Sequence, residues 1–167
     1  MSEFTHLDPN GRPHMVDVSE KADTRREATA RGEVVMQPAT LAAIAQGQIA
    51  KGDVLATAQV AAVMAAKRTW EIVPLCHPLL LNGVSVAIEL NQPANTVEIS
   101  ATVKTTGKTG VEMEALTAVS AAALTIYDMC KAIDPGMRIT NVRLIRKSGG
   151  KSGEVILETD AGVGAGD

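Results

Sequence analysis

The sequence predicts an α+β fold in which helices cover one face of an antiparallel sheet. Three observations lead to this class: a hairpin with alternating apolar residues, one long helix with an apolar stripe, and further strands after that helix. Strands and helices combined in this way are typical of α+β domains. With 167 residues, the chain is long enough for one domain with a core and too short for two.

The hairpin is the clearest strand signal. Apolar residues alternate with polar or small ones over residues 84–90, and again over residues 97–103 after a turn at 91–95. Because successive side chains of a strand point to opposite faces, this hairpin should have one buried face. Residues 15–18 and 27–36 are also compatible with strands, although arginines interrupt the second pattern.

Two shorter helices are expected before the hairpin. Residues 38–46 begin with proline and are followed by Gly47, which ends the helix, and Asp53 can cap a longer helix that runs to about Arg68. Pro74 and Pro78 exclude a helix from the stretch between them, because proline restricts both its own backbone and that of the preceding residue.

The long helix is predicted from about residue 111 to residue 133, and two more strands follow over 138–147 and 154–157. Apolar residues on its opposite side would be unusual for an exposed helix, so this side is predicted to contact another subunit. The predicted core stripe is Leu116, Val119, Ala123, Ile126, Cys130 and Ile133, and the predicted contact side is Ala118, Ala121, Leu124 and Ala132.

Composition excludes several classes of protein. Sixteen basic and nineteen acidic residues give a net charge of −3, which argues against an extended nucleic-acid interface. No apolar stretch of about 18 residues could span a bilayer, and the N-terminus has no apolar signal region, so a cytoplasmic protein is expected. Two cysteines form no disulfide framework, and free cysteines are most often buried hydrophobes.

Several basic residues are candidates for binding phosphate. Lys51 precedes the start of a predicted helix, where free backbone N–H groups favour an anion, although it could equally be a solvated lysine. Lys108 and Lys151 lie in glycine-bracketed loops, which can cradle phosphate or serve as ordinary turns. Neither loop is a P-loop, because Thr102 and Ile145 occupy the position of the first glycine.

His77 is held in an extended backbone by Pro78 and could present its imidazole rigidly from a loop, for proton transfer or as a structural group. Cys76 is adjacent, but neighbouring side chains point in different directions and no second ligand pair has a suitable spacing. We therefore predict no metal site.

Asp128 and Lys131 are three residues apart, so they are neighbours on the long helix, either as a proton-sharing pair or as a surface ion pair. Glu114 lies on nearly the same face, but fourteen residues of helix separate it from Asp128 by about 21 Å. If both line one site, that site must be shared between two subunits.

Three motifs carry a resemblance to a known family: Leu75-Cys76-His77-Pro78, residues 104–116 and residues 127–131. Over nearly the whole chain the sequence is similar to the MoaC family. The resemblance implies a ferredoxin-like fold assembled as a homohexamer, a trimer of dimers. It also implies conversion of 3',8-cyclised dihydro-GTP into cyclic pyranopterin monophosphate, with release of pyrophosphate, after a radical enzyme has made the precursor.

The resemblance also assigns roles to residues. Asp128 would be the catalytic acid or base, and Lys51 and Lys131 would hold phosphates or donate protons. The single catalytic domain would span residues 14–158, with residues 1–13 and 159–167 as flexible ends. No cofactor is firmly implied, and Mg²⁺ with the triphosphate is left open. The implied substrate-binding residues are Leu75, Cys76, His77, Met113 and Glu114. Further candidates for substrate binding are Glu112 and the basic residues Lys67, Lys108, Lys147 and Arg26, and each basic residue could instead be a solvated side chain or part of a salt bridge.

Two other functions suit part of the pattern. A non-catalytic nucleotide-binding module could have the same anion-binding loops, but it would not consume the cyclised precursor. An enzyme that forms a Schiff base through Lys131 or Lys51 would give a covalent adduct that borohydride traps.

Overall fold

The computed structural model describes residues 10–158. A five-stranded antiparallel sheet has the strand order β2-β3-β1-β4-β5, and the helices cover one face of it. The predicted α+β, ferredoxin-like class is confirmed. The elements in chain order are β1 Thr24–Val35, α1 Pro38–Ala45, α2 Val54–Ala66, α3 Thr69–Ile72, β2 Leu81–Asn91, β3 Thr96–Gly107, α4 Glu112–Cys130, β4 Arg138–Ser148 and β5 Val155–Ile156.

The predicted hairpin is confirmed as β2 and β3. Its turn contains Asn95 with φ of 53°, a left-handed conformation that asparagine tolerates better than most residues. β1 pairs with β3 on one side and with β4 on the other, so it forms the centre of the sheet.

The core lies between the sheet and the helices and is built largely from small residues. The inner face of β1 presents Ala28, Ala30 and Val34, all buried, with Gly32 between them. A Cβ at Gly32 would lie 2.6 Å from Cγ1 of Val119, so only glycine allows α4 to pack this closely on the sheet. On its other side, α4 packs against α2, which buries Ala58, Ala62 and Ala66.

The long helix differs from its prediction in four respects. It ends at Cys130, and Ile133 is 57% exposed rather than part of the core, while Leu116 is only partly buried. Ala118, predicted on the contact side, is fully buried because α4 is covered by the sheet on one side and by α2 on another. Leu124, at 62% exposed, does lie on the outer face.

The predictions for the start of α2, for residues 15–18 and for the two chain ends can be compared with the structure. Asp53 caps α2 as predicted, since its side chain accepts a hydrogen bond of 3.0 Å from the Ala56 N–H. Residues 15–18 form no strand, because they lie against the loop that carries His77 instead of joining the sheet. The short helix α3 was not predicted. Of the ends predicted to be flexible, residues 1–9 and 159–167 lie outside the described residues.

One buried carboxylate joins distant parts of the fold. Asp134 is 1% exposed, and its Oδ2 accepts hydrogen bonds from the Gln37 N–H at 2.8 Å and from the Thr40 hydroxyl at 3.1 Å. It therefore supplies the cap that α1 lacks in its own sequence.

No helix among residues 10–158 is long and apolar enough to cross a membrane.

Candidate active site

The first group of candidate residues lies at the C-terminal end of α4, and we call Lys51, Asp128 and Lys131 the lysine–aspartate cluster. The Asp128 carboxylate accepts hydrogen bonds of 2.7 Å from both ammonium groups, Lys51 on Oδ2 and Lys131 on Oδ1. Lys51 also donates to the Asp128 carbonyl oxygen at 2.8 Å. The sequence predicted the pair on α4, and the fold adds Lys51 from the loop before α2.

The lysine–aspartate cluster is exposed to solvent. About half of each side chain is accessible to solvent. The hydrogen bonds from Lys131 and then Lys51 lower the pKa of Asp128 to about 2, and the same contact with Asp128 raises the pKa of Lys131. Without a ligand, the carboxylate is therefore a weak base, and an anion that binds either ammonium group must displace this carboxylate.

The second group of residues lines a cavity of about 450 Å³ at the N-terminal end of α4, which we call the pocket. The structure brings together six residues implied by the motifs, and it adds four that no motif contains: Val16, Val18, Lys21 and Leu79. The six implied residues are Leu75, Cys76, His77, Glu112, Met113 and Glu114.

Glu114 is the unusual titratable group of the pocket. Glu114 is only 4% exposed. Burial raises the pKa of Glu114 to about 7, and the nearby charge of Glu112 raises it further. Burial, and secondarily the charge of Glu114, also raises the pKa of the Cys76 thiol. Near neutral pH the pocket thus offers a carboxyl group that can give or take a proton, beside a thiol rather than a thiolate.

The imidazole of His77 is oriented by a backbone group. Its Nε2 lies 2.9 Å from the carbonyl oxygen of Val16. Because a carbonyl only accepts hydrogen bonds, Nε2 carries a proton in this arrangement. No helix spans residues 74–78, as predicted from the two prolines, and His77 is among the residues that line the pocket.

Three further basic candidates lie next to the pocket: Arg26 on β1, Lys108 in the loop before α4, and Lys147 on β4. Lys147 donates to Glu112 Oε1 at 3.0 Å, and Arg26 Nη2 donates to the Lys108 carbonyl oxygen at 3.2 Å. Gly150 has φ of 70°, a left-handed conformation that favours glycine, where the loop after β4 covers the Arg26 guanidinium. Arg26 Nε is buried without a hydrogen-bond partner within residues 10–158, which leaves one donor available.

Not every predicted residue joins one of these groups. Lys67 is exposed at the C-cap of α2. The residues that line the pocket do not include Lys67, Arg26, Lys108 or Lys147. Arg26 lines a separate cavity of about 380 Å³. Within one chain, the rise of α4 separates Glu114 from Asp128 by about 21 Å, so the pocket and the lysine–aspartate cluster remain apart. Across residues 10–158, no three His, Cys, Asp or Glu side chains are arranged to hold a metal ion.

A family model described as the MoaC family matches residues 15–150 of this chain. The chain belongs to the MoaC family. Among curated proteins, it is 64% identical over 156 residues to a cyclic pyranopterin monophosphate synthase of Roseiflexus sp. strain RS-1, which covers 93% of this chain and 99% of the relative. The protein with the same name from Heliobacterium modesticaldum is 61% identical over 158 residues, covering 95% of this chain and 99% of the relative.

The MoaC match includes both groups of candidate residues. It starts at Met15, just before three of the pocket-lining residues that the motifs missed, and it ends at Gly150, beside Arg26. A third relative, the cyclic pyranopterin monophosphate synthase of Desulfitobacterium hafniense, is 63% identical over 156 residues, or 93% of this chain and 95% of the relative. The resemblance first carried by three motifs therefore extends over the whole fold.

Proposed function

We propose that this chain is a cyclic pyranopterin monophosphate synthase, a lyase that acts early in molybdenum cofactor biosynthesis. It would convert 3',8-cyclised dihydro-GTP into cyclic pyranopterin monophosphate and release pyrophosphate. The observation that carries the proposal is the 64% identity over 93% of the chain to a relative of that name. The chemistry of the two groups of candidate residues agrees with it, because ring rebuilding needs proton transfers and pyrophosphate release needs cations.

The lysine–aspartate cluster would perform the phosphate chemistry and part of the proton transfer. Lys51 and Lys131 would move from the Asp128 carboxylate onto phosphate oxygens when substrate binds. Asp128 would then lose the hydrogen bonds that keep its pKa near 2, and its pKa would rise toward the ordinary range of an aspartate. Substrate binding itself would thus make this carboxylate a more effective base.

The pocket would hold the ring system of the substrate. Leu75 and Met113 provide apolar contact, and Cys76, His77 and Glu114 provide polar groups around the same cavity. A carboxyl group with a pKa of about 7 can both donate and accept a proton at neutral pH. Lys147 and Arg26 would stabilise the phosphates at the edge of the pocket, and Lys67 would bind them from another surface.

The complete site would form between subunits of a homohexamer, arranged as a trimer of dimers. The pocket of one chain would meet the lysine–aspartate cluster of another, since about 21 Å of helix separates them within a chain. Apolar side chains exposed on the helices support such contacts: Val60 is 59% exposed, Met64 52% and Leu124 62%. Burying these side chains would favour association.

Further properties follow from this proposal. The enzyme would work in the cytoplasm on a small nucleotide-derived substrate, without a nucleic acid or a membrane as partner. Any Mg²⁺ would enter with the triphosphate, because Asp128 and Glu112 are already paired with lysines. No other cofactor is part of the proposal.

The deciding experiment measures pyrophosphate and pterin product from enzymatically prepared cyclised dihydro-GTP. Wild-type protein should form both, and folded Asp128→Ala and Lys51→Ala proteins should lose at least about 100-fold in rate. Arg138→Ala, which removes an exposed charge at the start of β4, serves as the control. A folded, oligomeric wild-type protein that makes no product would overturn the proposal and favour the nucleotide-binding module.

A further inference from the structure

A segment outside the family's motifs forms one wall of the pocket. Residues 16–21, which we call the strap, contribute Val16, Val18 and Lys21 to the lining. Two long-range hydrogen bonds hold it in place: His77 Nε2 bonds to the Val16 carbonyl oxygen at 2.9 Å, and Lys108 Nζ donates to the Ser19 carbonyl oxygen at 2.6 Å. Both anchors come from residues that the sequence made candidates for substrate binding.

The strap has a defined turn that places Lys21. The Asp17 carboxylate accepts hydrogen bonds from the Ser19 N–H at 2.8 Å and from its hydroxyl at 2.6 Å. The Lys21 N–H then donates to the Val18 carbonyl oxygen at 3.0 Å, which returns the chain toward the pocket. Lys21 therefore reaches the pocket from an ordered turn that is fixed at Ser19 by Lys108.

The charges around the pocket single out Lys21. Lys147 is paired with Glu112, and Lys108 donates to Ser19. The Lys21 ammonium has no hydrogen bond or ion pair with any of residues 10–158, and it is exposed at the pocket. It can therefore bind an anion without breaking an existing contact. Glu112 and Glu114 would repel a polyphosphate, so a cation at this position also offsets their charge.

We propose that Lys21 is a further substrate-binding residue that binds a phosphate oxygen of the substrate, and that Lys108 positions it by holding the strap. The inference rests on the function proposed above. Lys108 acts on the substrate through Ser19 and Lys21, and its own ammonium stays on the strap. His77 links the strap to the loop that carries Cys76, so the pocket walls are connected on both sides.

The first experiment compares ligands with and without phosphates on Lys21 variants. GTP serves as an unreactive triphosphate probe and guanosine as its phosphate-free counterpart, with Kd measured by isothermal titration calorimetry. Lys21→Ala should weaken GTP binding about tenfold, the effect of losing one charge-assisted hydrogen bond. Guanosine binding should not change, and Lys21→Arg should restore most of the GTP affinity. Arg138→Ala, which removes an exposed positive charge at the start of β4, is the control.

Three further measurements test the proposal: steady-state kinetics, hydrogen–deuterium exchange, and the GTP affinity of a double variant. With cyclised dihydro-GTP, Lys21→Ala should raise KM about tenfold with little change in kcat, since a phosphate contact made in both ground and transition states acts on binding. Lys108→Met should increase hydrogen–deuterium exchange in residues 16–19. The loss of GTP affinity in the Lys21→Ala/Lys108→Met double variant should be smaller than the sum of the single losses, because both act through one contact.

The outcomes separate this inference from the proposed function. If wild-type protein forms no product, the proposed function fails and the inference fails with it. If wild type is active and Lys21→Ala binds GTP normally, only the inference is overturned. Equal weakening of GTP and guanosine would overturn it as well, because that result indicates a structural role for the strap and not a phosphate contact.

Discussion

Glu114 and Asp128 are carboxylic acids on one helix, and their surroundings change their pKa values in opposite directions. Glu114 is buried at the N-terminal end of α4, where loss of solvent raises its pKa to about 7. Asp128 is exposed at the other end, where Lys131 and Lys51 lower its pKa to about 2. The comparison shows that one helix can carry a carboxyl group that exchanges protons near neutral pH and a carboxylate that its paired lysines keep ionised, if each end has a different environment.

The largest expected effect tests whether these two ends cooperate between subunits. Glu114→Ala and Asp128→Ala proteins should each lose at least about 100-fold in kcat, as expected for groups that transfer protons or hold the substrate. After dissociation and joint reassembly, mixed oligomers should regain activity, because some sites then combine an intact pocket with an intact lysine–aspartate cluster. Product formation is measured with cyclised dihydro-GTP.

Reassembly must be verified for this comparison, by native mass spectrometry of differently tagged chains. Each variant reassembled with itself provides the control for partial refolding. Mixed oligomers that remain as inactive as the single variants would show that Glu114 and Asp128 do not serve one shared site.

A third carboxylate, Asp134, can be compared with Glu114, because both are buried but Asp134 accepts two hydrogen bonds. Asp134→Ala leaves the Gln37 N–H and the Thr40 hydroxyl without their partner at the start of α1. We expect the free energy of unfolding to fall by about 2 to 3 kcal/mol, the cost of unsatisfied buried donors. Urea denaturation measures this loss.

The matching control for Asp134→Ala is Glu114→Ala. At pH 7 Glu114→Ala should cost much less stability than Asp134→Ala, since it removes a carboxyl group that burial disfavours. An equal loss in both proteins would mean that the hydrogen bonds of Asp134 contribute nothing beyond its volume.

The pH dependence of stability distinguishes the two ends of α4 directly. Glu114 has a raised pKa, so the folded protein retains a proton between pH 4.5 and about 7 that the unfolded chain releases. Its contribution is therefore most favourable below pH 4.5 and declines as pH rises through about 7. Between pH 4.5 and pH 8, wild type should lose about 3 kcal/mol more than Glu114→Gln. Urea denaturation at both pH values gives the difference.

The sequence alone predicted those parts of the fold that depend on local patterns. Strict alternation located β2 and β3, and Asp53 marked the start of α2. β1 was harder to define because its buried face consists of alanine and glycine between arginines, which gives a weak apolar pattern. Ala118 was assigned to the wrong face because only the packed structure shows that α4 is covered on two sides.

The site was predictable only as far as its motifs reach. Residues 75–77 and Glu114 meet in the pocket as expected from their positions on a loop and at a helix start. Lys21 was missed because its position depends on contacts with His77 and Lys108, which are distant in sequence. Long-range hydrogen bonds of this kind leave no periodic signal along the chain.

The smallest expected effect concerns Asp128, at the exposed C-terminal end of α4. Asp128 has a lowered pKa, so the stability that it contributes is present above pH 3.8 and is lost as pH falls toward about 2. Solvent screens an ion pair this exposed, so Asp128→Asn should leave the urea midpoint at pH 7 within experimental error of wild type. It should still abolish turnover, which would assign this carboxylate to catalysis and not to folding. A clear drop in the midpoint at pH 7, reversed by high salt, would show instead that the lysine–aspartate cluster also stabilises the fold.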